Sequence, residues 1–175
     1  MKRRLAAAAA VVTAAAVVGV AAAQPTVLRA QSASMAPAVQ TGDLLLGGGR
    51  PQTPPARGDI VVFSDPGGWA QTAARLTGAA DVPDVFVKRV IGLPGERVAC
   101  CDGAGRLTVD GEPLVEPYLA PDTTLASVLA FSHVVPTDAV FVLGDNRTAS
   151  VDSRYLGSVP LEHVVTVAPW VVPLH

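Results

Sequence analysis

Lys88 is the residue whose type and setting first invite a chemical reading. Lysine occurs only twice in the 175 residues, at Lys2 and Lys88, and the other eleven basic residues are arginine. Arginine does not give up its proton in practice, so the amine able to act as a base here is a lysine. Lys88 lies in Val85-Phe86-Val87-Lys88-Arg89-Val90-Ile91-Gly92-Leu93-Pro94-Gly95-Glu96, an apolar run closed by a Gly/Pro turn. On a strand it shares a face with Phe86 and Val90, where an ammonium loses solvation. Two polar segments accompany it. Gln31-Ser32-Ala33-Ser34-Met35-Ala36-Pro37 carries a Ser-x-Ser pair, and Gly144-Asp145-Asn146-Arg147-Thr148-Ala149-Ser150-Val151-Asp152-Ser153-Arg154 is a dense polar loop. Taken singly, each has an ordinary explanation: a lysine reaching out to water, a serine-rich turn, a solvated loop.

The elements that must position these residues are short strands. Runs at 43–46, 59–63, 85–91, 97–100, 106–109, 139–143 and 163–172 are separated by glycine and proline. Asp110-Gly111 reads as a tight hairpin turn, because its centre requires positive φ. Residues 71–76 form at most one or two helical turns, and residues 50–58, with three prolines, form a loop. The expected class is mainly β, with one N-terminal helix.

Residues 5–23 carry no charge and contain eleven Ala and five Val, behind Lys2, Arg3 and Arg4. That length just crosses a bilayer core of about 20 helical residues. The basic flank predicts a cytoplasmic N-terminus and an extracytoplasmic remainder, a single-pass protein of the cell membrane. Ala21-Ala22-Ala23 before Gln24 also fits the cleavage site of a secretory signal. Thirteen basic and fifteen acidic residues leave a net charge of −2, with no basic cluster beyond the N-terminus, so no nucleic-acid partner is expected. Cys100 and Cys101 are adjacent and lack the spacing of a metal site; they are expected to be packing residues, unbonded to each other.

Together the three segments resemble those of the bacterial type I signal peptidases, the serine–lysine endopeptidases. Thr41-Gly42-Asp43 and Arg57-Gly58-Asp59-Ile60-Val61-Val62-Phe63 match further blocks of that family in order. The resemblance implies cleavage of exported preproteins after Ala-x-Ala-like sites at the outer membrane face, with signal peptides and the bilayer as partners and no cofactor or metal. It implies Ser34 as nucleophile and Lys88 as general base. Ser32 would join the Ser34 backbone N–H in the oxyanion hole, and Ser150 would orient the lysine. Asp145, Asp152 and Arg154 would support the loop. Ala30, Met35, Phe86 and Val87 flank the reacting residues and are candidates for pocket walls. The resemblance implies a mainly β fold, an N-terminal transmembrane helix followed by a β-rich catalytic domain with a small hairpin annex: a tail over 1–4, an anchor over 5–23, a catalytic β domain over 24–96 and 141–175, and an annex over 97–140. The chain departs from the family pattern at Gln31, commonly Pro, at Ala38, commonly Thr, and in the shortness of the 97–140 segment, where larger relatives have a second β domain.

The residue types suit that chemistry. A serine hydroxyl needs a base to take its proton during attack. A lysine is such a base only when neutral, which near pH 8 costs about 3 kcal/mol from an ordinary pKa of ~10.4 unless burial lowers it. A Ser–His–Asp arrangement built on His133 or His163 is the competing mechanism, although relatives that use histidine place it where Lys88 stands. Two other functions fit parts of the sequence: a secreted β-rich binding module, and a dedicated peptidase maturing a pilin-like substrate.

Overall fold

Short Val- and Leu-rich runs between chain-breaking residues favour strands over helices, and strands dominate residues 26–174, those described in the computed structural model. Among them, β1 (Thr26–Arg29), β2 (Leu44–Gly47) and β12 (Trp170–Val172) form a three-stranded sheet in the order β1-β2-β12. A five-stranded sheet has the order β10-β9-β4-β3-β11. Its members are β10 (Val159–Pro160), β9 (Ala139–Leu143), β4 (Val85–Gly92), β3 (Ile60–Ser64) and β11 (Val164–Val167). The third sheet, β7-β6-β5-β8, is built from β5 (Arg97–Cys100), β6 (Leu107–Val109), β7 (Glu112–Pro113) and β8 (Phe131–Val134). All neighbouring strands are antiparallel. The mainly β expectation holds. The expected anchor over 5–23 lies outside the described residues, and among those described no helix is long and apolar enough to cross a membrane.

Strand β9, second in the five-stranded sheet, is held between two cores. All five of its residues are buried. Val140 and Val142 join a cluster with Phe63, Phe86 and Val90, covered by Trp69 and Ala70 of helix α1 (Trp69–Thr77). Ala139, Phe141 and Leu143 point the other way, into a cluster with Ile91, Val98 and Leu107. The period of two thus divides one strand between two cores. β4 lies beside it, with Val90 opposite Val142 and Arg89 opposite Leu143. Met35, Val39 and Leu45 make a third, smaller cluster against the three-stranded sheet.

The expected strands recur with ends shifted by a residue or so, with one substantive correction. The run expected as a single strand over 163–172 divides in two. Ala168 takes φ 48° and Pro169 follows it, so the chain leaves β11, paired with β3, and enters β12, paired with β2. Proline has no N–H to continue a ladder, which is why the break falls there. The Asp110-Gly111 turn is present, with φ of 51° and 89°, and joins β6 to β7. A second correction concerns the cysteines. Cys100 and Cys101 are bonded to each other across a cis peptide, not left as separate packing residues. Cys100 still packs against the Ile91–Val98 cluster.

Candidate active site

Ser34 sits in the turn that leaves β1. Met35 and Val39, 2% and 1% exposed, pin that turn to the third core cluster, and the Val39 N–H donates to the Met35 carbonyl. Lys88 comes from the middle of β4, opposite Val61 of β3. Its Nζ lies 2.9 Å from Ser34 Oγ and donates to the Val87 carbonyl at 3.1 Å. The two residues are 9% and 4% exposed. Burial is the main reason that the Lys88 pKa falls from 10.5 to about 8. Arg154 adds to the fall, while Asp152 and Asp145 oppose it. The strand core therefore supplies an amine that is substantially neutral at mildly alkaline pH, within reach of a serine.

The loop after β9 closes over this pair. The Asn146 N–H donates to the Ser34 carbonyl at 3.1 Å, and Asn146 Nδ2 to the Ala33 carbonyl at 3.3 Å. A side chain at Gly144 would collide with Ser150 Oγ and with the Ser34 carbonyl, so loop and turn meet at a residue that must be glycine. Asp152 accepts from the Gly144 N–H at 3.0 Å and caps the short helix α2 (Ser153–Leu156) through the Arg154 N–H. Arg154 forms a two-pronged bond to Asp152 and donates to the Arg147 and Ser150 carbonyls. Both side chains are fully buried. Asp145 is held by Arg89 Nε at 2.8 Å, and Arg89 also donates to the Gly58 carbonyl. Tyr118 lies 4.1 Å over the Arg89 guanidinium.

The expected residues are brought together unevenly. Ser32 is exposed, and its Oγ donates to Ser34 Oγ at 3.2 Å. Ser150 is buried beside Ser34, yet its hydroxyl makes no hydrogen bond, so the expected bond to Lys88 is not among those formed. Ala30 and Val87 pack with Met35 in the third cluster, while Phe86 belongs to another, stacked with Phe63 and edge-on to Trp69. Met35 and Phe86 are core residues, which leaves Ala30 and Val87 as the half-buried members of the four. Neither histidine meets Ser34: His133 is bonded to Ser158 and His163 to Ser64.

The supports that sequence reasoning passed over are Arg89, Arg147, Glu116 and Tyr118. Arg89 gave a signal, since an arginine in a buried strand requires an anionic partner. Glu116 and Tyr118 gave none, because their partners lie in distant segments.

The family model described as "Signal peptidase, peptidase S26" matches residues 1–172. A signal peptidase I of Leptolyngbya laminosa is 40% identical over 114 residues, covering 64% of this chain and 50% of that protein. One from Bacillus caldolyticus is 36% identical over 146 residues, covering 75% and 70%. The chain thus spans about half the length of the first and more of the second. A solved signal peptidase I from Enterococcus faecalis V583 aligns with a TM-score of 0.49 at 30% identity, over 66% of this chain and 97% of that one. A family model matched over nearly the whole chain, and a relative of which the chain covers more than two thirds, place this protein in the signal peptidase family, peptidase S26.

Proposed function

We propose that this chain is an endopeptidase that removes signal peptides from exported preproteins after Ala-x-Ala-like sites, with Ser34 as nucleophile and neutral Lys88 as general base. The observation that carries the reading is a buried amine, with its pKa lowered to about 8, standing 2.9 Å from a serine hydroxyl. One N–H of the neutral amine donates to the Val87 carbonyl, and its lone pair takes the Ser34 proton as Oγ attacks the scissile carbonyl. The resulting oxyanion is received by the Ser34 backbone N–H and by the Ser32 hydroxyl, swung over from Ser34 Oγ. Losing such a donor costs roughly 10²–10³ in rate. The lysine then gives its proton to the departing amine, and the same base activates a water that hydrolyses the acyl-enzyme. The substrate binds as an added strand whose small side chains pack near Ala30 and Val87. Asp145, Asp152, Arg154 and Ser150 act through the loop that holds this geometry.

The test is incubation of the detergent-solubilised protein, and of its Ser34→Ala form, with a precursor whose signal ends in Ala-x-Ala. Wild type releases the mature fragment and the variant does not; equal release by both overturns the reading. We also propose that residues 5–23 remain as a single membrane anchor with residues 1–4 in the cytoplasm. Sequencing the N-terminus of membrane and medium fractions tests this, and a chain beginning at Gln24 found mainly in the medium would refute it.

A further inference from the structure

A cavity of about 480 Å³ opens beside the turn that carries Ser34, with Ala36 and Pro37 in its wall. One wall is the nucleophile turn and the catalytic loop, with Pro37, Asn146 and Thr148; the other is the segment between β7 and β8, with Asp122, Thr124 and Leu125. Asn146 joins cavity to reaction centre, since its backbone N–H donates to the Ser34 carbonyl. None of Ala30, Met35, Phe86 and Val87 lines it. A peptide that is cut at Ser34 must leave on both sides of the nucleophile. If the half before the scissile bond lies along Ala30 and Val87, the half after it departs by another route, and this cavity adjoins the Ser34 turn at Ala36 and Pro37.

The geometry points to this cavity as the binding site for the first residues of the mature protein, those following the scissile bond, with a preference for basic over acidic side chains. The inference rests on the proposed peptidase reading and extends it to the other half of the substrate. The preference follows from the charges on the walls. Asp145 is committed to Arg89, and Arg147 to Glu116. Asp122 is exposed and forms no ion pair among the described residues, so it is the uncompensated charge. Hydroxyls from Thr124 and Thr148 and the half-exposed Leu125 complete a wall that accepts polar and small apolar groups. The annex sheet thereby gains a role in selecting substrates, since the segment bearing Asp122 joins two of its strands.

The experiment uses the full chain in detergent and peptides identical up to the scissile bond, with Lys, Ala or Glu at the second position after it. Wild type should favour Lys over Glu in kcat/KM by about fivefold, the ratio that an exposed ion pair worth about 1 kcal/mol gives, and high salt should erase the difference. Asp122→Lys should invert the order of the Lys and Glu peptides. Thr124→Trp, which narrows the cavity, should raise KM for these peptides but not for one ending a single residue past the bond. Cleavage with the same Lys-to-Glu ratio in wild type and Asp122→Lys would overturn the assignment and leave the peptidase reading intact. Failure of wild type to cut any of the peptides would overturn both.

Discussion

Arg147 of the loop after β9 is ion-paired with Glu116 of the segment after β7, and the two side chains are 2% and 6% exposed. The same guanidinium donates to the Gly144 carbonyl at 3.0 Å and to the Ala126 carbonyl at 3.1 Å. One buried cation thus ties the glycine that touches Ser34 and Ser150 to the third sheet. The pairing is specific as well as stabilising: Tyr118 donates to Glu116 at 2.8 Å and lies over Arg89, which holds Asp145.

Removing one partner should therefore be costly. Glu116→Ala leaves a buried, uncompensated guanidinium and is expected to lower unfolding stability by about 3–5 kcal/mol. Urea denaturation of wild type and variant measures it. A change below about 1 kcal/mol would mean that the pair is solvated in solution.

Catalysis should depend on pH through Lys88. Its proton leaves at about 8 in the folded chain, so kcat/KM should rise tenfold per pH unit below that value and level off above it. Lys88→Arg keeps its charge throughout and should be inactive at every pH. A profile governed by a group near ~6.5 and abolished in His133→Ala or His163→Ala would transfer the base to histidine.

The same depressed pKa makes Lys88 a stability liability. Folded Lys88 gives up its proton near 8 and the unfolded chain holds its own to 10.5. Between those values the unfolded state binds more protons, so wild-type stability should rise with pH across that window. Below it, the full penalty for burying the amine applies. Lys88→Met should then be more stable than wild type at pH 7 by up to about 3 kcal/mol, while inactive, with the difference vanishing above the unfolded value. Melting curves at pH 7 and in the alkaline range check both halves; a variant less stable at pH 7 contradicts the desolvation account.

Ser150→Ala separates catalysis from folding. The Ser150 hydroxyl is buried without a hydrogen bond, so deleting it removes an unsatisfied group and should leave stability unchanged or slightly raised. Turnover should nevertheless fall, without being abolished, because Ser150 is proposed to act through the loop that holds Ser34 and Lys88 in place. Wild-type kinetics in this variant would remove Ser150 from the site. Gly144→Ala should be more severe, because a methyl there meets both Ser150 and the Ser34 carbonyl. A displacement of about 1 Å at the nucleophile costs on the order of 10²-fold in rate.

Local chemistry was legible along the chain. The Asp110-Gly111 turn and the apolar runs of β3, β4 and β9 declare themselves through residue type. Lys88 declares itself as an amine in an apolar strand, and the ordered blocks identify the family. What the sequence by itself could not determine is which distant surfaces meet. Ser34 and Lys88 lie 54 positions apart, and Arg147 and Glu116 are 31 apart. A period of two specifies that a face is buried, not what buries it. That is why residues 163–172 read as one strand although they serve two sheets, and why Met35 and Phe86 resembled pocket walls although they fill two different cores. It is also why the unpaired Ser150 hydroxyl and the cavity beside the Ser34 turn became visible only once the chain had folded: both are properties of the space between segments, and that space is set by packing.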